Sequence, residues 1–161
     1  MRALFKGHVL RSSDDPERAV ITKPMPATVC TCLAVRQGAR QLTQFYDRHL
    51  APVGLRATQY PILARLHRDG PMSINALAAC LVVDRTTLGR ALRPLERDGL
   101  VAMAAGRDAR TRQLSLTPAG AERFAVALPL WQGAQAAFER GYGTAEALAL
   151  RAAMARVVEA I

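Results

Sequence analysis

The chain has 161 residues, half of them hydrophobic, and carries 22 Lys or Arg against 13 Asp or Glu, a formal charge of +9. That length supports a hydrophobic core without disulfide or metal staples, no run of 18 apolar residues suggests a membrane span, and the charge asks for an anionic partner, nucleic acid first. Aromatic residues, at 5%, are too sparse for a base-stacking platform on single strands.

Residues 1–26, containing "RSSDDPER" and "TKPMP", hold no sustained period and read as a flexible leader. From residue 28 to about 50, Val35, Ala39, Leu42, Phe45/Tyr46 and His49/Leu50 recur every three or four positions and predict an amphipathic helix, which "APVGLR" breaks. A second helix is expected over residues 57–68, with Ile62, Leu63 and Leu66 inward and Pro61 in its first turn. Ser73 is a candidate N-cap for a short third helix, residues 74–80, in which Cys80 is expected in the core.

Asp84 follows as a second N-cap. The helix it opens puts Leu88, Leu92 and Leu95 on one stripe and leaves Arg85, Thr86, Gly89, Arg90 and Arg93 outward. Two short helices joined by a tight turn form a helix-turn-helix pattern. Pro94 predicts a bend after the first half of the second helix, and Gly99 a left-handed stop. "LVAMA" and "TRQLSLT", flanking "AGRDAR", predict a β-hairpin with a basic tip. Thr117 and Pro118 then read as N-cap and first residue of a long helix carrying Phe124, Leu128, Trp131, Ala134 and Phe138, with Pro129 as a kink. Thr144 is expected to cap a last helix with Leu150, Met154, Val157 and Ile161 on one stripe. The terminal helices show more apolar surface than one small domain covers, which points to a homodimer.

This order, with "SINALAACLVVDRTTLGRALRPLERDGLV" and "GRDARTRQLSLTPAG", resembles the MarR family of winged-helix transcriptional regulators over residues 28–161. The resemblance implies a mainly α fold with a small β-wing: a winged helix-turn-helix DNA-binding lobe, about residues 56–116, and a helical dimerisation lobe, about 28–50 and 118–161, within one unit from residue 27. It implies a homodimer presenting its fourth helix to the major groove of a palindromic operator in double-stranded DNA. Arg85, Thr86, Thr87 and Arg90 then fall where the family contacts bases. Arginine suits guanine edges, and threonine offers a hydroxyl and a methyl. At the hairpin tip Arg110 matches the family's minor-groove arginine and Asp108 the acid that orients it, with Arg107 and Arg112 adding phosphate contacts.

Regulators of this family respond to a small ligand or to an oxidant. Cys32 falls at the reactive-cysteine position of the organic-hydroperoxide branch, and Tyr46 at one of the two tyrosines that bond it, while the second tyrosine position holds Ala57. Cys30 and Cys32, two apart, point away from each other on a regular helix, so a bridge across the dimer or to a small thiol is the redox alternative to two half-buried packing cysteines. No Gly-rich phosphate loop, nucleophile elbow or paired carboxylates occur, and His8, His49 and His67 have no ligand spacing, so no catalytic residue, cofactor or metal is assigned. The expectation is a cytoplasmic repressor released by ligand or cysteine oxidation; the alternative is a dimeric winged-helix architectural or protein-interaction module.

Overall fold

The structure, a computed structural model, describes residues 30–105 and 112–160. The expected leader, residues 1–26, and Arg107, Asp108, Arg110 and Ile161 lie outside those residues. The chain divides into two compact units, Met1–Ala39 and Arg40–Ile161. Helix α1, Thr31–Leu50, begins in the first and runs on into the second. In the first unit its described side chains are exposed apart from half-buried Leu33.

In the second unit α1 ends at buried Leu50 and passes into a 3₁₀ turn, Ala51–Val53, closed by Gly54 at φ +68°. Helix α2, Tyr60–Asp69, starts three residues later than the periodicity suggests. Two side chains explain the delay: Asp47 accepts the Ala57 amide at 2.7 Å and Gln59 the Arg56 amide at 2.8 Å, so these donors serve a turn before helix is laid down. Ile62, Leu63 and Leu66 are buried, as their spacing predicts.

A two-residue strand, β1 (Met72–Ser73), precedes α3, Ile74–Leu81, whose N-cap Ser73 accepts the Ala76 amide at 3.1 Å. Cys80 is exposed rather than in the core, because Leu77 and Ala78 carry the buried face of this helix. Helix α4, Arg85–Arg97, buries Leu88, Leu92 and Leu95 to 1% exposure and continues through Pro94. Burying each of these leucines is worth about 1.5–3 kcal/mol, which outweighs the amide lost at the proline. The helix ends at Gly99, φ +68°, with the Leu100 amide reaching back to the Leu95 carbonyl at 2.8 Å.

Strands β2 (Val101–Ala105) and β3 (Arg112–Leu116) pair antiparallel with Met103 opposite Leu114, and β1 pairs with the other edge of β3, giving the order β1-β3-β2. Leu114, on the central strand, is fully buried. Helix α5, Pro118–Tyr142, runs without interruption past Pro129, and α6, Thr144–Ala160, begins at Thr144 itself rather than after it. Trp131 stacks on Tyr60, ring centroids 5.4 Å apart, and Phe124 packs between Tyr60 and His67, which ties α5 to α2. Tyr142, Leu148, Val157 and Val158 remain exposed on the last two helices.

The start of α5 is fastened to the end of α4. Thr117 caps α5 by accepting the Gly120 amide at 2.9 Å and donates its hydroxyl to the Gly99 carbonyl at 2.7 Å. A Cβ on Gly120 would lie 2.0 Å from the Leu100 carbonyl oxygen, so only glycine permits this approach. Gly120→Ala is therefore expected to lower the unfolding free energy by about 2–3 kcal/mol, read as a fall in the urea midpoint at unchanged slope.

Candidate nucleic-acid interface

The outward face of α4 is built by the same heptad-like spacing that buries its leucines. With Leu88, Leu92 and Leu95 turned to the core, Arg85, Thr86, Thr87, Arg90 and Arg93 are all exposed, and Gly89 between them adds no side-chain bulk. None of Arg85, Arg90 and Arg93 has a carboxylate partner among the described residues. The contrast with neighbouring arginines is direct: Arg65 and Arg68 both hold Asp69, at 2.9 and 2.7 Å, Arg97 holds Asp98 at 2.9 Å, and Arg56 faces Asp47. The cations of the outward face are thus left available for an external anion.

Among the described residues Asp84 is the acid beside them, and its charge is engaged. One carboxylate oxygen accepts the Thr87 amide at 2.8 Å and the other accepts the Thr87 hydroxyl at 2.6 Å. These bonds hold its carboxyl below the ordinary value of 3.8, the Thr87 hydroxyl contributing most. Two residues earlier the turn passes through Val82 in the left-handed region, φ 53° and ψ 47°, with its side chain 66% exposed. A β-branched residue in that conformation is strained, and its amide hydrogen-bonds back to α3 to close the turn.

The sequence-assigned residues therefore fall into three groups. Arg85, Thr86, Thr87 and Arg90 share one exposed helical face, and Arg93, read as outward but not assigned to the site, belongs to it. Arg112 opens β3, exposed, its guanidinium 3.6 Å from the Met103 sulfur, whereas Arg107 and Arg110 are outside the described residues. Cys30 and Cys32 are free and exposed rather than half-buried. The Cys30 carbonyl accepts the Ala34 amide at 3.1 Å, which puts both thiols at the amino-terminal end of α1.

Tyr46 donates its hydroxyl to the Gln135 side-chain carbonyl on α5, and burial pushes its phenol pKa up. It also borders a cavity of about 230 Å³ lined by Leu42, Leu50, Tyr60, Pro61 and Trp131. Sequence reading missed this cavity, whose walls come from three separate helices, and it missed β1, which is too short to show an alternation. Among the described residues no group of His, Cys, Asp and Glu could hold a metal, and no helix is long and apolar enough to cross a membrane.

The engaged Asp84 carboxylate makes the amino-terminal turn of α4 acid-sensitive. Its folded pKa is depressed, so its stabilisation is complete above the unfolded value near 3.8 and is lost as pH falls through the lower folded one. Asp84→Asn, which keeps a capping oxygen but no titratable group, is expected to flatten the decline in thermal stability below about pH 4, measured by circular dichroism melts across that range.

The MarR family profile matches residues 55–105, from the loop before α2 to the end of β2. The chain is similar to the M. tuberculosis transcriptional regulator MosR, solved in complex with DNA, at 40% identity, covering 81% of this chain and 97% of that one with a TM-score of 0.71. It shares its fold with a mutant MarR from E. coli complexed with operator DNA, at 21% identity, 77% and 90% coverage and a TM-score of 0.69. It is also similar to an uncharacterised HTH-type transcriptional regulator of Bacillus subtilis, YwoH, 29% identical over 90 residues. That match spans 56% of this chain and 66% of the relative's length, just under two thirds. With the winged helix-turn-helix in place and 97% of MosR covered at 40% identity, the chain belongs to the MarR family of transcriptional regulators.

Proposed function

We propose that the protein is a homodimeric, sequence-specific regulator that lays α4 in the major groove of a palindromic operator in double-stranded DNA and brings the β2–β3 hairpin to the adjacent minor groove. The observation that carries this reading is the α4 face itself: exposed Arg85, Arg90 and Arg93 without carboxylate partners among the described residues, interleaved with Thr86 and Thr87. Guanidinium groups supply forked donors for guanine or phosphate, and the hydroxyls supply short-range discrimination. The DNA complex of MosR, a relative at 40% identity, supports it further. The exposed apolar side chains of α5 and α6, Tyr142, Leu148, Val157 and Val158, are assigned to the dimer interface.

Arg110, with Arg107 and Arg112, is assigned to the wing's contacts, and Asp108 to orienting Arg110. The regulator acts in the cytoplasm as a repressor, and it leaves its operator when a ligand enters or a thiol is oxidised. The exposed pair Cys30 and Cys32 supports the thiol route, since both are open to a peroxide or a small thiol. The cavity beside Tyr46 and Trp131 supports the ligand route.

A fluorescence-anisotropy titration on duplex from the promoter flanking its own gene, against random duplex, tests the reading. Preference for the promoter by three orders of magnitude or more, on the order seen for specific regulators, is expected; equal affinity for both would favour an architectural protein. Arg90→Ala is expected to weaken specific binding by about tenfold or more with the fold intact. Arg110→Ala is expected to weaken it with a shallower dependence on salt, losing about one unit of slope.

A further inference from the structure

The Thr87 hydroxyl has one proton, and the chemistry of its partner assigns where it goes. The Asp84 carboxylate, ionised at neutral pH, can only accept, so at 2.6 Å the proton lies on the line from Thr87 Oγ1 to Asp84 Oδ2. The second Asp84 oxygen accepts the Thr87 backbone amide at 2.8 Å, so the carboxylate is fixed at two points and cannot swing away without uncapping α4. What remains on the exposed side of Thr87 is a pair of oxygen lone pairs and a methyl group. A free threonine hydroxyl serves any base edge by rotating its proton; this one is locked in one polarity.

Resting on the reading of α4 as the groove-facing helix, we propose that Asp84 acts as a positioning residue that makes Thr87 an acceptor-only reader, selecting in each half-site a base that presents an exocyclic amino group, adenine N6 or cytosine N4, over guanine or thymine. The major-groove edge of a keto base offers the Thr87 oxygen no donor: guanine presents the acceptors O6 and N7, and thymine presents the acceptor O4 beside a methyl group. Two facing acceptors repel, and the hydroxyl can turn its proton to them only by giving up its bond to Asp84. Asp84 itself needs no base contact for this, which accounts for an acid standing among cations on a face that meets polyanionic DNA.

The test is selection from a randomised duplex library by the full-length protein and three variants, each first shown by circular dichroism to be folded. Wild type is expected to enrich amino over keto bases by about fivefold or more, the lower end of a single mismatch cost, at one position of each half-site. Asp84→Asn keeps an oxygen for the Thr87 amide, but its amide nitrogen now donates to Oγ1. The hydroxyl proton is turned outward, and the preference at that position is expected to reverse toward guanine and thymine. Thr87→Val should lose the amino-over-keto preference there, and Thr87→Ser should keep it. An Asp84→Asn or Thr87→Val profile identical to wild type would overturn the proposal while leaving sequence-specific binding intact. Failure of wild type to enrich any sequence would overturn the regulator reading and this inference together.

Discussion

The carbonyl oxygens of Gly99 and Leu100 are the point on which the DNA-binding half of the molecule depends. The Leu100 amide closes α4 by bonding the Leu95 carbonyl, and the Leu100 carbonyl receives the Thr117 amide at the far end of the hairpin. The Thr117 hydroxyl spans both carbonyls while capping α5, and Gly120 brings the first turn of α5 into contact with Leu100. One short stretch therefore fixes three elements relative to each other: the helix proposed to read DNA, the sheet that carries the wing, and the long helix whose far end offers an apolar surface. Backbone hydrogen bonds and a missing side chain are a stiff way to do this, since neither has rotamers to relax into.

That stiffness bears on how a signal could travel. A regulator whose two reading helices must match half-sites one helical turn apart is sensitive to small rotations. In this chain α5 connects the Gly99–Leu100 junction to the aromatic packing of Phe124, Tyr60 and Trp131, and farther along to Gln135, which holds Tyr46. A change at the cavity walls is thus a change along the same helix that is pinned to the end of α4. The helix-turn-helix adds its own constraint at the other end of α4, where Val82 accepts a left-handed conformation and the Asp84 side chain takes up the Thr87 amide.

Much of this was legible locally. Ser73, Asp84 and Thr117 are capping types placed immediately before apolar periods, and each caps in the structure by accepting an amide three residues on. Leu88, Leu92 and Leu95 could share a buried stripe only in a helix, and the outward face followed by subtraction. The misreadings share one cause. Cys80 reads as core from its place in the apolar run, although Leu77 and Ala78 already supply the short face that α3 buries. The start of α2 was set too early because the Asp47 and Gln59 side chains that claim the preceding amides act from sequence distance or from inside the turn. Helices α4 and α5 both continue through Pro94 and Pro129, in keeping with the expectation that neither proline ends its helix.

The sequence by itself determined the order of the helices and the hairpin, the caps Ser73, Asp84 and Thr117, the leucine stripe and the arginine and threonine face of α4, because each depends on residues within one or two turns of each other. Tertiary structure alone decided that Gly120 must be glycine, that β1 exists as a third strand beside β3, that Tyr46 is taken by Gln135, and that a cavity opens between α1, α2 and α5. Those features depend on atoms distant in the chain meeting at a few ångströms, a distance that no local period encodes. The polarity of Thr87 belongs to both: an ionised carboxylate can only accept, which residue type dictates, and only the placed atoms show that the Thr87 hydroxyl meets it.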